Sequence, residues 1–111
     1  MTISSSFLDS YNFKGKKVFI SQPMKGKEKK EIEGERKNIV DAVKALGGEV
    51  IDSILSEEIV SKNKPLWCLG QSLQMLAEAD VAIFLPGWKE ARGCVAERYC
   101  CQNYEIDAIE I

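Results

Sequence analysis

A chain of 111 residues has the size of one small domain, and its 15 Lys and Arg against 17 Asp and Glu leave a net charge of -2. That balance lacks the concentrated basic excess that a nucleic-acid polymer requires, so no polymer partner is expected. The absence of histidine removes Ser–His and Cys–His nucleophile pairs, and the longest apolar run, Val81 to Leu85, is far too short to span a bilayer.

Residues 1–14 are polar, Ser-rich and without period, and they read as a flexible arm ahead of a single domain over residues 15–111. Phe7, Leu8, Tyr11 and Phe13 are the residues of this arm able to dock. The start Met1-Thr2-Ile3-Ser4-Ser5-Ser6 lacks the basic segment and apolar core of a secretory signal, so a cytoplasmic location is the expectation. Lys17-Val18-Phe19-Ile20 predicts the first strand. Ser21 to Lys27 is a loop punctuated by Pro23 and Gly26.

From about Glu28 to Leu46 the apolar residues Ile32, Ile39, Val40, Val43 and Leu46 mark one face of a helix, which Gly47-Gly48 stops. The nearby cluster Lys25, Lys27, Lys29 and Lys30 is offset by Glu28, Glu31, Glu33 and Glu35 and reads as a solvated helix start. Glu49 to Asp52 predicts a second strand. Pro65 suits an early helical position, and Leu66, Leu69, Leu73, Leu76 and Ala77 continue a second helix to Ala79. Asp80 opens the third strand. A third helix runs from about Ala91 to Asn103, with Ala91, Val95 and Tyr99 on one side, and Glu105 to Ile109 forms a last strand. Strands alternating with helices imply a parallel sheet with right-handed crossovers, here four strands in the order 2-1-3-4 with helices on both faces.

The four cysteines, Cys68, Cys94, Cys100 and Cys101, form no Cys-x-x-Cys pair. They read as reduced thiols serving as small apolar residues, and no metal site is expected.

In an open parallel sheet ligands bind beyond the C-terminal ends of the strands. Three strand-to-helix loops meet at that edge. The first offers Ser21, Gln22, Pro23 and Met24, the second Asp52 and Ser53, and the third Gly87 and Trp88. Glu97 follows in the third helix. It shares a helix face with Gly93, over which a ligand could approach, whereas the Ala91, Val95 and Tyr99 stripe faces elsewhere. A carboxylate there can attack an anomeric carbon; the plain alternative is a solvated glutamate on an amphipathic helix. Asp80 could polarise a ligand heteroatom or cap a turn. As the first residue of its strand it belongs to the edge opposite Glu97. Trp88 could stack on a nucleobase or close the core. Arg92 could bind a phosphate or carboxylate, or pair with Glu90 or Glu97. Lys25-Gly26-Lys27 precedes a helix N-terminus, a natural place for an anion, but matches neither G-x-G-x-x-G nor the P-loop.

Val18-Phe19-Ile20-Ser21-Gln22-Pro23-Met24, Lys64-Pro65-Leu66-Trp67, Ala79-Asp80-Val81 and Pro86-Gly87-Trp88 through Ala91-Arg92-Gly93-Cys94 to Glu97 together resemble a small bacterial and phage branch. That branch is similar to the nucleoside 2-deoxyribosyltransferases and to the deoxynucleoside monophosphate N-glycosidases. The resemblance covers Lys17 to Ile109. It implies a flavodoxin-like, Rossmann-like three-layer α/β fold. It implies that Glu97 is the catalytic nucleophile, that Asp80 assists the departing base, and that Ser21 to Met24 line the sugar or phosphate pocket. In such enzymes the glutamate attacks C1′, the base leaves, and a second base or water takes up the sugar, with no metal or cofactor.

The expected ligand is therefore a small nucleoside or nucleotide, with Ser21, Gln22, Pro23, Met24, Asp52, Gly87, Trp88, Arg92 and Gly93 around it. A homo-oligomer is expected, because the fourth strand is a sheet edge needing cover and the related enzymes assemble. Two other classes stay open: a non-catalytic nucleotide-binding module, and a structural protein that uses the crevice for a partner chain.

Overall fold

The computed structural model describes Leu8, residues 11–52 and residues 61–111. Four strands, β1 (Lys17–Ser21), β2 (Glu49–Val50), β3 (Val81–Phe84) and β4 (Asp107–Glu110), form one parallel sheet in the order β2-β1-β3-β4. Three helices connect them: α1 (Lys29–Ala45), α2 (Lys64–Leu76) and α3 (Arg92–Asn103). The chain moves one way along the sheet from β1 to β2 and the other way from β2 through β3 to β4. Right-handed crossovers therefore place α1 on one face and α2 and α3 on the other.

Two apolar layers follow from this arrangement. Ile39 and Val43 of α1 pack on Val18, Ile20, Val81, Ile83 and Ile109. On the opposite face Leu76 of α2 and Cys101 of α3 pack on Phe19, Ala82 and Phe84. The two central strands alternate their side chains between these layers and are buried on both sides. That explains why they read as unbroken apolar runs in the sequence. No described helix is long and apolar enough to cross a membrane.

Four expectations need correction. Leu8 and Phe13 are fully buried in the α1-side core, so packing begins before residue 15 and these two residues are structural. Phe7 lies outside the described residues, as does Ser53. The buried face of α3 carries Cys94, Glu97 and Cys101, whereas Val95 and Tyr99 of the supposed stripe are 43% and 66% exposed. The stripe and the buried face lie roughly a third of a turn apart, and periodicity points to the wrong one because the helix has few apolar residues and its buried positions hold two thiols and a carboxyl group. Asp80 stands just outside β3. The last strand begins at Asp107 and not at Glu105, which turns the chain with φ 57°.

The α1–β2 turn shows why its glycines are there. Gly47 has φ 86°, in the left-handed region. At Gly48 a Cβ atom would sit 2.6 Å from Val43 Cγ1 and 2.9 Å from Phe13 Cβ. Docking of the N-terminal segment against α1 thus depends on a residue without a side chain.

Candidate active site

β1 ends at Ser21, paired in register with Phe84 at the end of β3. Beyond these last rungs the chain leaves the sheet on both strands, and a gap opens between the two exit loops. The first loop is pinned to α1. Gln22 Nε2 donates to the Ile32 carbonyl at 2.8 Å, and Lys27 Nζ holds both Glu35 oxygens at 2.9 and 3.0 Å. The second loop turns at Gly87, φ 90°, through a short 3-10 helix (Trp88–Glu90) into α3. Helix α2 closes the third side. Its start is fixed by Asn63, whose side chain accepts from the Leu66 amide at 3.1 Å, with Pro65 in the first turn.

The result is a cleft of about 980 Å³. Gln22, Pro23, Met24, Lys25 and Lys27 line it from the first loop, and Pro65, Leu66, Cys68, Leu69 and Ser72 from the α2 wall. Pro86, Gly87, Glu90 and the stretch Ala91, Arg92, Gly93, Cys94 and Glu97 complete it. The volume is at the upper end of what small-molecule sites occupy.

Glu97 is the buried carboxyl group of this cleft. It is 7% exposed, and its Oε1 accepts a 2.7 Å hydrogen bond from the hydroxyl of Ser21, which is itself 1% exposed. Burial raises the carboxyl group from 4.5 to about 7, against the opposing pull of the Ser21 hydrogen bond. At neutral pH Glu97 is therefore divided between its acid and its carboxylate form. One turn earlier on the same helix face, burial pushes the Cys94 thiol up as well. The Ser21 hydrogen bond pulls it down and the Glu97 charge pushes it further up.

The structure brings together most of the residues singled out from the sequence. Ser21 reaches Glu97 from the sheet edge. Gln22, Pro23, Met24, Gly87, Arg92 and Gly93 line the cleft. A Cβ added at Gly93 would meet nothing within 4 Å, so the approach over this residue is open. Among the described residues no ion pair engages Arg92.

Three residues are not brought in. Trp88 packs its ring on Phe84, with centroids 5.6 Å apart and planes tilted by 60°, beneath Lys89 Nζ at 5.8 Å. It borders a smaller hollow with Glu110 and Ile111, and so closes the core and offers no platform to the cleft. Asp52 lies exposed past β2, outside the cleft lining, where its charge acts on Arg36. Burial lowers the Arg36 guanidinium pKa and Asp52 raises it again.

Asp80 is at the far edge of the sheet. Its Oδ2 accepts from the Lys17 amide at 2.8 Å while its own amide donates to the Lys17 carbonyl at 2.8 Å. The length of β1 separates it from Ser21, roughly 13 Å at about 3.3 Å per residue. It caps the entry to β3 and cannot assist chemistry at Glu97.

Residues not anticipated from the sequence are Cys94, the α2 wall, and Ser21 in the role of partner to Glu97. The three-residue spacing of Cys94 and Glu97 would have revealed the first once the phase of α3 was known. The pairing of Ser21 with Glu97 spans 76 positions and leaves no local trace.

A family model described as "Domain of unknown function (DUF4406)" matches residues 16–109, and the chain belongs to that family. No curated protein and no solved structure matches the chain.

Proposed function

We propose that this DUF4406 domain cleaves or transfers the N-glycosidic bond of a small nucleoside or nucleotide, with Glu97 as the nucleophile. The observation that carries this reading is a buried carboxyl group at the C-terminal sheet edge, held by Ser21 at 2.7 Å on the wall of an open cleft. The sequence resemblance to the deoxyribosyltransferases supports the choice of substrate class.

In the first step the Glu97 carboxylate forms a bond to C1′ and the C1′–N bond breaks. The departing nitrogen keeps the electron pair and takes a proton from water in the cleft. In the second step water, or a nitrogen of a second base, bonds to C1′ and releases the Glu97 oxygen with its electrons. The incoming group loses its proton to solvent, so the enzyme returns to its starting form. The Ser21 hydroxyl holds the carboxylate in place and favours its ionised form. Lys25 and Arg92, both on the cleft wall, supply positive charge for a 5′-phosphate. Asp80 has no part in this sequence of steps.

The test is incubation of the purified chain with deoxynucleosides and their 5′-monophosphates, with and without an acceptor base, and chromatography of the free base. Release that disappears in Glu97→Ala supports the proposal. No release from any substrate, or undiminished release by the variant, overturns it. Non-catalytic nucleotide binding is favoured by one observation, the removal of Asp80 from the site. Ligand-dependent thermal stabilisation without base release would decide for it.

We further propose self-assembly through the outer surfaces of α2 and α3, where Trp67, Val95 and Tyr99 are exposed large apolar side chains outside the cleft lining. A purely monomeric profile in sedimentation velocity at micromolar concentration would reject this.

A further inference from the structure

With Trp88 packed on Phe84, the proposed reaction has a nucleophile but no wall for the base that leaves. Displacement at C1′ is in line, so the Glu97 oxygen enters from the face opposite the C1′–N bond that breaks. Glu97 stands on α3. The base therefore lies across the sugar from it, on the side of the cleft away from α3.

The element on that side is α2. Both helices follow a strand of the parallel sheet, and both pack in one core layer, through Leu76 and Cys101. They begin at the C-terminal edge and run back side by side over the same face. The α2 wall of the cleft carries Pro65, Leu66, Leu69 and Ser72 and no charged side chain. The charges, Lys25, Lys27, Glu90, Arg92 and Glu97, come from the first loop, the 3-10 helix and α3. An uncharged wall thus faces an ionic one, an arrangement that fits a ligand with a flat, weakly charged end and an anionic end.

Leu66, Leu69 and Ser72 follow one another at three-residue spacing, so each neighbours the next in a strip along α2. Leu66 is 61% exposed, in a first turn fixed by the Asn63 cap and Pro65. A large apolar side chain turned to water inside a concave site is the surface that the face of an aromatic ring covers. Ser72 stands about 9 Å further along the helix, at about 1.5 Å per residue. Its hydroxyl makes no hydrogen bond among the described residues, not even to the carbonyl four positions back, and it lines the cleft. A hydroxyl both donates and accepts, so it can pair with the polar edge of a base.

We infer that α2 is the base-binding wall, with Leu66 and Leu69 covering the face of the base and Ser72 reading its edge. This assignment rests on the proposed reaction at Glu97. The experiment measures Kd by isothermal titration calorimetry for the deoxynucleoside 5′-monophosphates of adenine, guanine, cytosine and thymine. The full chain carries Glu97→Gln, which cannot form the glycosyl bond, alone or together with Leu66→Ala, Leu69→Ala, Ser72→Ala or Gln74→Ala. Gln74 is exposed on α2 and outside the cleft lining.

The leucine variants should weaken binding of every monophosphate by about tenfold. Ser72→Ala should weaken the tightest binder by about tenfold and the others by less, which narrows the spread between bases. Gln74→Ala should leave every Kd within about twofold of the background. Leucine variants that bind as the background does overturn the inference, and so does a Ser72→Ala loss that is equal for all bases. Leu66 is exposed enough for Leu66→Ala to fold, so it decides alone should Leu69→Ala not fold. Failure of the underlying reading looks different: no monophosphate binds the background and wild type releases no base, which removes both. Binding or release that ignores α2 removes this assignment only.

Discussion

The two ends of β1 each hold a carboxyl group that belongs to another element, and the two fates diverge. At Lys17 the backbone amide binds Asp80 at 2.8 Å, in an exposed position, and the result is a cap. At Ser21 the side-chain hydroxyl binds Glu97 at 2.7 Å, in a buried position beside a cleft, and the result is a carboxyl group raised to about 7. The functional groups are alike and the bond lengths nearly equal. The difference is burial: desolvation disfavours the charged form at the C-terminal edge.

The sharpest way to break this comparison is to exchange the two. Glu97→Ala should lower kcat/KM for base release by on the order of 10³-fold or more, as loss of a nucleophile does. Asp80→Asn, some 13 Å away, should leave kcat/KM within about twofold while lowering stability by about 1 kcal/mol through its weakened cap. Steady-state kinetics and urea unfolding of both variants read this directly; the opposite ranking in kinetics would reassign the site.

The second test uses pH. A carboxyl group raised from 4.5 to about 7 binds its proton more tightly in the folded state. Folding is therefore unpenalised below about 4.5, and the penalty grows as pH rises to 7, where it levels off at roughly 3 kcal/mol. Glu97→Gln should accordingly be more stable than wild type at pH 8 by up to that amount, with the gain fading towards pH 4. The same ionisation should make wild-type kcat/KM fall as pH drops through about 7. A stability gain independent of pH would show that desolvation of Glu97 is not its source.

The smallest expected effects come from two glycines, one at each edge. Gly48→Ala should cost about 2 kcal/mol, because its Cβ would stand 2.6 Å from Val43 Cγ1. Gly93→Ala meets open space in a helix and should add up to about 1 kcal/mol, while its methyl group narrows the cleft and raises KM. Thermal unfolding with Michaelis analysis separates packing at the one edge from access at the other.

Much of this frame was legible in the chain. The strand order followed from alternating apolar runs and helical faces, because right-handed crossovers leave few topologies for such a pattern. The residues at the C-terminal edge followed from the same topology, so Ser21, Gln22, Pro23, Met24, Gly87, Arg92 and Gly93 could be placed there without coordinates. Trp88 could not, since an aromatic after Pro-Gly fits a cleft wall and a core lid equally well and only packing on Phe84 decides. The phase of α3 was misread for a related reason. Periodicity reports apolar side chains, and this helix buries Cys94, Glu97 and Cys101 while exposing Val95 and Tyr99.

What the sequence determined by itself was the order of the elements and the strand order of the parallel sheet. These depend on local preferences and chain connectivity, which are written residue by residue. Only the tertiary structure decided which carboxyl group loses its water. Burial belongs to the whole packed assembly, and the hydroxyl that meets Glu97 is 76 positions away along the chain.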